Sequence, residues 1–240
     1  MTSENAQTVT DGENYVLARS EKNRPTWIWT KEGISCEKQA EVKSAIGQYL
    51  EGDERVAFTC KKEFYDILKA DGFAPLTDSY FEMGAYYCPN TVRPKTAEGG
   101  ACLASEKDIE TLANYYVNEK KEMMNAYLPH AEAEKYVREL VECGNFYVWK
   151  NGEGKIVCTA VLNRAGGFAR INHVYTPIEE RCKAYAKNLI FFLTEEALGE
   201  GLLPVLYTDY NYPASNRAYK AVGYVDLGCL INFSCLSKER

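Results

Sequence analysis

The chain of 240 residues contains no run of about 18 apolar residues, the length a bilayer-crossing helix needs. Its opening, Met1-Thr-Ser-Glu-Asn-Ala-Gln-Thr-Val-Thr10, has neither the basic start nor the apolar centre of a signal peptide. The reading is a cytoplasmic protein with no membrane partner. Histidine is scarce, and the only two, His130 and His173, lack closely spaced metal-ligating neighbours, so no metal site is expected. The nine cysteines are odd in number and never form a C-x-x-C pair, which argues against a disulfide framework. They read instead as small buried hydrophobes. A basic excess is missing too. With a formal net charge of −6, the chain lacks the clustered Lys and Arg on which phosphate-backbone binding depends, so no nucleic-acid partner is expected. An acidic surface suits a cationic amine or is simply solvated.

What is present is ample apolar material, 46% of residues, enough for one large domain or two small ones. Residues 1–12 are polar and without periodicity and read as a flexible tail. Tyr15-Val-Leu-Ala18 is strand-like. Ala40, Val42, Ala45, Ile46, Tyr49 and Leu50 recur at helical spacing over Glu37 to Leu50, with Gly52-Asp53 as the stop. Arg55 to Cys60 follows as a strand, Glu63 to Ala70 as a helix halted at Gly72, and Ser79 to Tyr87 as another strand. Pro89 to Gly100 carries two prolines and two glycines and marks a linker. The expected division is therefore 13–96, linker included, and 97–240.

Beyond the linker, Ala101 to Ala104 is a strand. Ser105 and Asp108, three apart before an apolar-periodic run, resemble a capping box. Helices are expected over Ile109 to Met124 and Ala131 to Cys143. A hairpin follows, Asn145 to Lys150 and Lys155 to Leu162, joined by Asn151-Gly-Glu-Gly154. Ala169 to Tyr175 is a strand, Glu180 to Leu198 a helix stopped at Gly199, and Leu203 to Thr208 a strand. The stretch from Leu206 to Tyr224 then reads as strand, loop and short helix ending on Gly223, with Ser215 as a helix-start candidate.

This order, with Arg181-Cys-Lys-Ala-Tyr-Ala186 opening the long helix and Asn216, Tyr219 and Gly223 on the short one, resembles the GNAT superfamily of acyl-CoA-dependent N-acetyltransferases over residues 97–240. The resemblance implies an α/β (α+β) fold, a mixed central sheet flanked by helices. The first block resembles half of such a domain: Val56-Ala-Phe-Thr, helix, Asp71-Gly-Phe73, strand runs parallel to Val205-Leu-Tyr-Thr, helix, Val222-Gly-Tyr224, strand, although two ordinary strand-helix-strand units would look the same. Leu68 stands where the second block has Tyr219, and no Arg-x-x-Gly segment occurs there, so the first block is not expected to bind CoA. Trp27, Trp29, Tyr80, Phe81, Tyr86 and Tyr87 either wall a substrate cleft or pack between the domains.

The resemblance further implies acetyl-CoA as acyl donor. The backbone at Val174 and Tyr175 would pair with its pantetheine arm, and Arg181, Cys182, Lys183, Ala184, Tyr185 and Ala186 would cradle its pyrophosphate at a helix N-terminus. Here Ala184 stands where the family motif has glycine, and Cys182 where glycine is common. Glu179 and Glu180 read as capping, solvated residues. Asn216 would contact the cofactor or cap its helix, while Tyr212 stands where many relatives carry asparagine. Tyr219 would protonate the departing thiolate, its alternative being a core tyrosine beneath the cofactor. His173 is the titratable candidate for general base on the cofactor strand, its alternative being a structural histidine. The acceptor would be a small-molecule or peptide amine lying between the two blocks, and a homodimer stays open. The other functional readings are a non-catalytic acyl-CoA or ligand binder, and an interaction module that has lost the cofactor.

Overall fold

The computed structural model describes residues 6–51 and 55–236. The chain divides into two compact units, one built from residues up to Gly84 with Asp209–Asn211 and the segment from Gly228, the other from Ala85–Thr208 and Tyr212–Leu227. The division thus falls at Ala85 rather than in the linker, and the last described strand passes from the second unit into the first.

In the first unit, β1 (Gln7–Thr10) and β2 (Tyr15–Arg19) form an antiparallel pair, as do β2 and β3 (Thr26–Thr30). Residues 7–10 are therefore a strand rather than part of a tail. Their short Thr-Val-Thr run is β-branched, and pairing supplies the order that periodicity alone does not reveal. β3 runs parallel to β4 (Arg55–Lys61), which is antiparallel to the later part of β11 (Val225–Leu236). β5 (Leu76–Tyr87) flanks β11 on its other edge. Helices α1 (Cys36–Leu50) and α2 (Lys62–Ala70) supply Ile46, Tyr49, Phe64 and Leu68 to a core with Leu17, Phe58 and Phe233. The expected Gly52-Asp53 stop lies outside the described residues.

β3 alternates between buried Thr26, Ile28 and Thr30 and exposed Trp27 and Trp29, so one face is covered and the other is not. Trp27 and Trp29, 39% and 47% exposed, line a shallow hollow of about 200 Å³ with Val16, Ala18, Thr59 and Leu230. They are not packing residues of a closed interior. Tyr80 and Phe81 are exposed as well, whereas Tyr86 is buried in the second unit.

The second unit orders its strands as β10 (Leu203–Asp209), β9 (Phe168–Tyr175), β8 (Ile156–Ala165), β7 (Phe146–Lys150) and β6 (Gly100–Leu103). β10 is parallel to β9, and the others form antiparallel ladders. Both faces are covered. Phe146, Val148 and Val161 meet Ile109, Leu112 and Val137 of α3 (Ile109–Met124) and α4 (His130–Glu142). Tyr147, Trp149, Ala160 and Leu162 meet Leu189, Ile190 and Leu193 of α5 (Tyr185–Gly199), with Tyr219 and Val222 of α6 (Pro213–Val222) in the same cluster. Two-sided burial accounts for the near-continuous apolar runs of β7 and β8. The Ser105 and Asp108 capping box forms as expected.

All nine cysteines are free thiols, but only Cys60, Cys88, Cys158 and Cys235 are buried; Cys36, Cys102, Cys143 and Cys182 are exposed. The expectation of buried hydrophobes thus fails for several, because loop and helix-end positions, and for Cys102 the edge strand β6, give a thiol nothing to pack against. Burial pushes the Cys158 thiol up to about 12. No helix among the described residues is long and apolar enough to cross a membrane.

Candidate functional site

The site begins where the parallel pairing of β9 and β10 ends. Their register runs from Leu203 opposite Phe168 to Leu206 opposite Ile171 and no further. Just beyond, β9 carries a bulge. Val161 of β8 faces Asn172 and Thr159 faces Tyr175, so three steps along β9 match two along β8. His173, at φ 51°, takes the left-handed conformation that absorbs the extra residue. Bulges bend the strand that carries them, and here the bend coincides with the parting of β9 from β10. Tyr207 and Thr208 on one arm and Asn172 to Tyr175 on the other thus bound an opening within the second unit.

A connection rich in ion pairs leads from β9 to α5. Pro177 opens a single 3-10 turn, Ile178–Glu180, and α5 starts only at Tyr185. The helix expected from Glu180 therefore begins five residues later, because Cys182 (φ 63°) and Ala184 (φ 65°) both adopt left-handed conformations that interrupt it. The first helical bond of α5 runs from the Asn188 N–H to the Ala184 carbonyl at 3.1 Å. The N–H groups of Tyr185, Ala186 and Lys187 precede that ladder and have no intrahelical acceptor. Asn188 also donates from Nδ2 to the Lys95 and Ala184 carbonyls, fixing the turn.

Side chains around this turn are already partnered. Arg181 donates from Nε to the Thr176 carbonyl (2.9 Å) and from a terminal nitrogen to Glu122 Oε2 (2.5 Å), beside the Tyr175 ring. Tyr175 donates its hydroxyl to the other oxygen of the same carboxylate (2.9 Å). An anion approaching Arg181 meets a guanidinium whose charge Glu122 already balances. Glu180 is buried rather than solvated, since Lys155 (2.6 Å) and Lys183 (2.8 Å) both bind its carboxylate and hold its proton affinity below the ordinary range. Val174 packs against the α5-side core, as do Ala184 and Ala186, and Tyr185 is buried within it.

On α6, Tyr212 is the residue before the helix, Pro213 takes the first turn and Gly223 closes it at φ 109°. Proline is favoured at a helix start, so the N-cap falls at Tyr212 instead of Ser215. Ser215 Oγ instead donates to the Tyr212 carbonyl (3.1 Å) and bonds Thr208 Oγ1 (2.9 Å), tying β10 to the helix. Asn216 is half-buried one residue on. Tyr219 is buried, its ring 6.4 Å from that of Tyr86 and 6.0 Å from that of Tyr224. No hydrogen bond to its hydroxyl occurs among the described residues, yet that oxygen is not fully sealed from solvent. Burial raises its proton affinity well above that of an ordinary phenol, and Cys158 and Glu119 add to the effect.

His173 sits among groups that sequence reading passed over. Its Nδ1 lies 2.9 Å from Glu119 Oε1 on α3, its Nε2 lies 3.3 Å from the Tyr136 hydroxyl on α4, and the Tyr116 ring stands edge-on at 5.1 Å. Glu119 and Glu122 look like part of a solvated run, Asn118-Glu-Lys-Lys-Glu122. The available signal was the helical period, which places Glu119 on the stripe of buried Leu112 and half-buried Tyr115 and Tyr116. His130 likewise gains in Glu110 a neighbour that sequence spacing hides, beside Glu134 one turn along its own helix. Ligating atoms of Glu110, His130 and Glu134 all lie within 4.8 Å of one another, although Arg138 pairs with Glu134 at 2.8 Å.

Among solved structures, the chain is similar to a GNAT-family acetyltransferase from Colwellia psychrerythraea, at 15% identity and TM-score 0.61 over 95% of this chain and 84% of that one. The fold is that of the GNAT acetyltransferases. A GCN5-related N-acetyltransferase from Sphaerobacter thermophilus matches at 12% identity and TM-score 0.62, covering 96% of this chain and 83% of the other. A tandem GNAT protein from the clavulanic acid biosynthesis pathway matches at 10% and 0.56, over 94% and 79%. No family model and no curated protein sequence matches. The GNAT strand, helix and strand order expected over residues 97–240 is the order observed.

Proposed function

We propose that the protein is an N-acetyltransferase that moves an acetyl group from acetyl-CoA directly to the primary amine of a small molecule or peptide. The observation that carries this reading is the parting of β9 from β10 beside a turn that holds Cys182 and Ala184 in left-handed conformations. The turn keeps a glycine-type backbone in a stretch that has no glycine, and a phosphate-binding role would account for it. Val174 and Tyr175 would face the amides of the pantetheine arm. The N–H groups from Cys182 to Ala186 would receive the pyrophosphate, with Arg181, Lys183 and Asn216 at its margins. Tyr219 would meet the departing sulfur, and His173 would serve as the base that receives the proton of the acceptor amine. The first unit, with its β4, α2, β5 sequence of elements and Leu68 in place of the tyrosine, would be a partial second copy without a cofactor strand. The neighbour described as a tandem GNAT protein supports that reading.

Two measurements test the proposal. Titration calorimetry is expected to show acetyl-CoA binding at micromolar concentration, followed by thiol release when an amine library is supplied. An absence of binding at high micromolar concentration overturns the proposal. Binding without thiol release from any amine favours a non-catalytic acyl-CoA binder.

Ala184→Gly checks the turn itself. A left-handed alanine costs about 1–2 kcal/mol, while the glycine loses about 0.4–1 kcal/mol through its freer unfolded chain. A net stabilisation of about 0.5–1 kcal/mol is expected in denaturant titration, together with tighter acetyl-CoA binding. Unchanged stability would contradict the strain, and unchanged binding would show that the methyl group is accommodated.

A further inference from the structure

We infer that Glu119, His173 and Tyr136 form a proton relay, in which Glu119 fixes the imidazole with Nδ1 protonated so that Nε2 draws the amine proton through the Tyr136 hydroxyl. The inference rests on the acetyltransferase reading for its chemistry but not for its geometry. Glu119 is a carboxylate on an otherwise apolar helix stripe, with a side chain only 7% exposed, and the ion-pair contact found for it is His173 Nδ1 at 2.9 Å. A carboxylate withdrawn from water must be hydrogen-bonded to remain tolerable. An ionised Glu119 can only accept, so Nδ1 must carry the hydrogen. In the neutral ring Nε2 is then an acceptor, and the only donor described near it is the Tyr136 hydroxyl at 3.3 Å.

The surrounding packing leaves the ring little freedom. Tyr116 stands edge-on to it at 5.1 Å and stacks on Tyr136 at 5.0 Å, so ring and hydroxyl are positioned by the same tyrosine. The bulge at His173 is what turns the side chain of this β9 residue toward α3 and α4, and its left-handed backbone is costly for a non-glycine residue. Burial also grades the three groups from inside to outside. Glu119 is buried, His173 is 16% exposed at its side chain, and Tyr136 reaches solvent.

The chemistry balances as follows. The amine lone pair forms a bond to the thioester carbonyl carbon, giving an ammonium and an alkoxide. The ammonium proton passes to the Tyr136 oxygen as the Tyr136 proton passes to Nε2, leaving an imidazolium opposite the Glu119 carboxylate. The alkoxide collapses, the carbon–sulfur bond breaks, and the thiolate takes a proton from water while the imidazolium returns one. Tyr136 would be the group that touches the acceptor. Glu119 acts through His173 and is a positioning residue.

The test reads the imidazole directly. With two histidines in the chain, a His130→Gln background leaves one ring in the nitrogen-15 spectrum, and the neutral form of His173 is expected to be the Nδ1–H tautomer. An Nε2–H tautomer overturns the relay whether or not any amine is acetylated. In steady-state kinetics, Glu119→Gln keeps the shape but removes the charge. It is expected to lower kcat at least tenfold with acetyl-CoA affinity and melting temperature little changed. Tyr136→Phe is expected to keep the tautomer and lose a similar factor. If both variants turn over at the unaltered rate, the relay is wrong. If the unaltered protein acetylates no amine while His173 shows Nδ1–H, the dyad stands and the acetyltransferase reading falls.

Discussion

Replacing Gly223 with alanine is expected to lower the melting temperature of the second unit by about 10 °C, from a loss of about 3–5 kcal/mol. Two costs combine. At φ 109° the residue lies where side chains are strained, and an added Cβ would stand 2.3 Å from the Asn90 carbonyl oxygen and 3.2 Å from the Val92 nitrogen. Both contacts are backbone, so no flexible side-chain tip can move aside. The same turn is held by the Val92 N–H donating to the Val222 carbonyl at 2.7 Å, which the methyl group would pry apart. Gly201→Ala is the control. Its φ of 74° brings strain, but nothing lies within 4 Å of an added Cβ, so about 1–2 kcal/mol is expected there. Differential scanning calorimetry of the two variants separates clash from strain, and equal losses would show that the Asn90 contact is not limiting.

Tyr219→Phe is expected to lower kcat about a hundredfold, the effect of deleting one positioned donor to a developing negative charge, while leaving acetyl-CoA affinity and melting temperature nearly unchanged. Burial narrows the role proposed for this hydroxyl. With its proton affinity raised by burial, outright transfer of the proton to a thiolate, whose ordinary pKa is about 8.5, would run uphill. Donation of a hydrogen bond to the departing sulfur needs no such transfer. Because the hydroxyl bonds nothing among the described residues, phenylalanine leaves no partner stranded, and the stability cost stays small. Thiol-release kinetics beside calorimetry check the split. An unchanged kcat would return Tyr219 to the role of a core aromatic, and a fall in cofactor affinity would assign it to binding.

Much of the second unit was legible because its signals are local. The Asn151-Gly turn, the Ser105 and Asp108 cap and the Gly223 stop each act over a few residues, and the strands and helices between them were placed within a few positions. The start of α5 was not legible, since the left-handed backbone at Cys182 and Ala184 depends on how the turn is tethered by Asn188 and Arg181 rather than on residue type. Glu119, Glu122 and Tyr136 were missed for a related reason. Their partners His173, Arg181 and Tyr175 lie more than thirty residues away in sequence, and a glutamate on a charged-looking helix end gives no sign of burial. The first strand and the outward face of Trp27 and Trp29 depend on pairing and on which face a helix covers, neither of which a single strand encodes.

The passage of β11 from one unit into the other bears on how the protein is made. β4 pairs with β11 from Arg55 opposite Leu236 to Lys61 opposite Leu230, and Phe58 stacks on Phe233 at 5.8 Å. A nascent chain that has emerged as far as Gly84 therefore holds two helices and most of a sheet but lacks the strand that belongs beside β4. The usual order of synthesis, in which the leading domain folds while the next is still being translated, cannot complete here. The first unit must wait until the whole of the second has left the ribosome, with the edge of β4 unpaired and Phe58 without its Phe233 partner throughout.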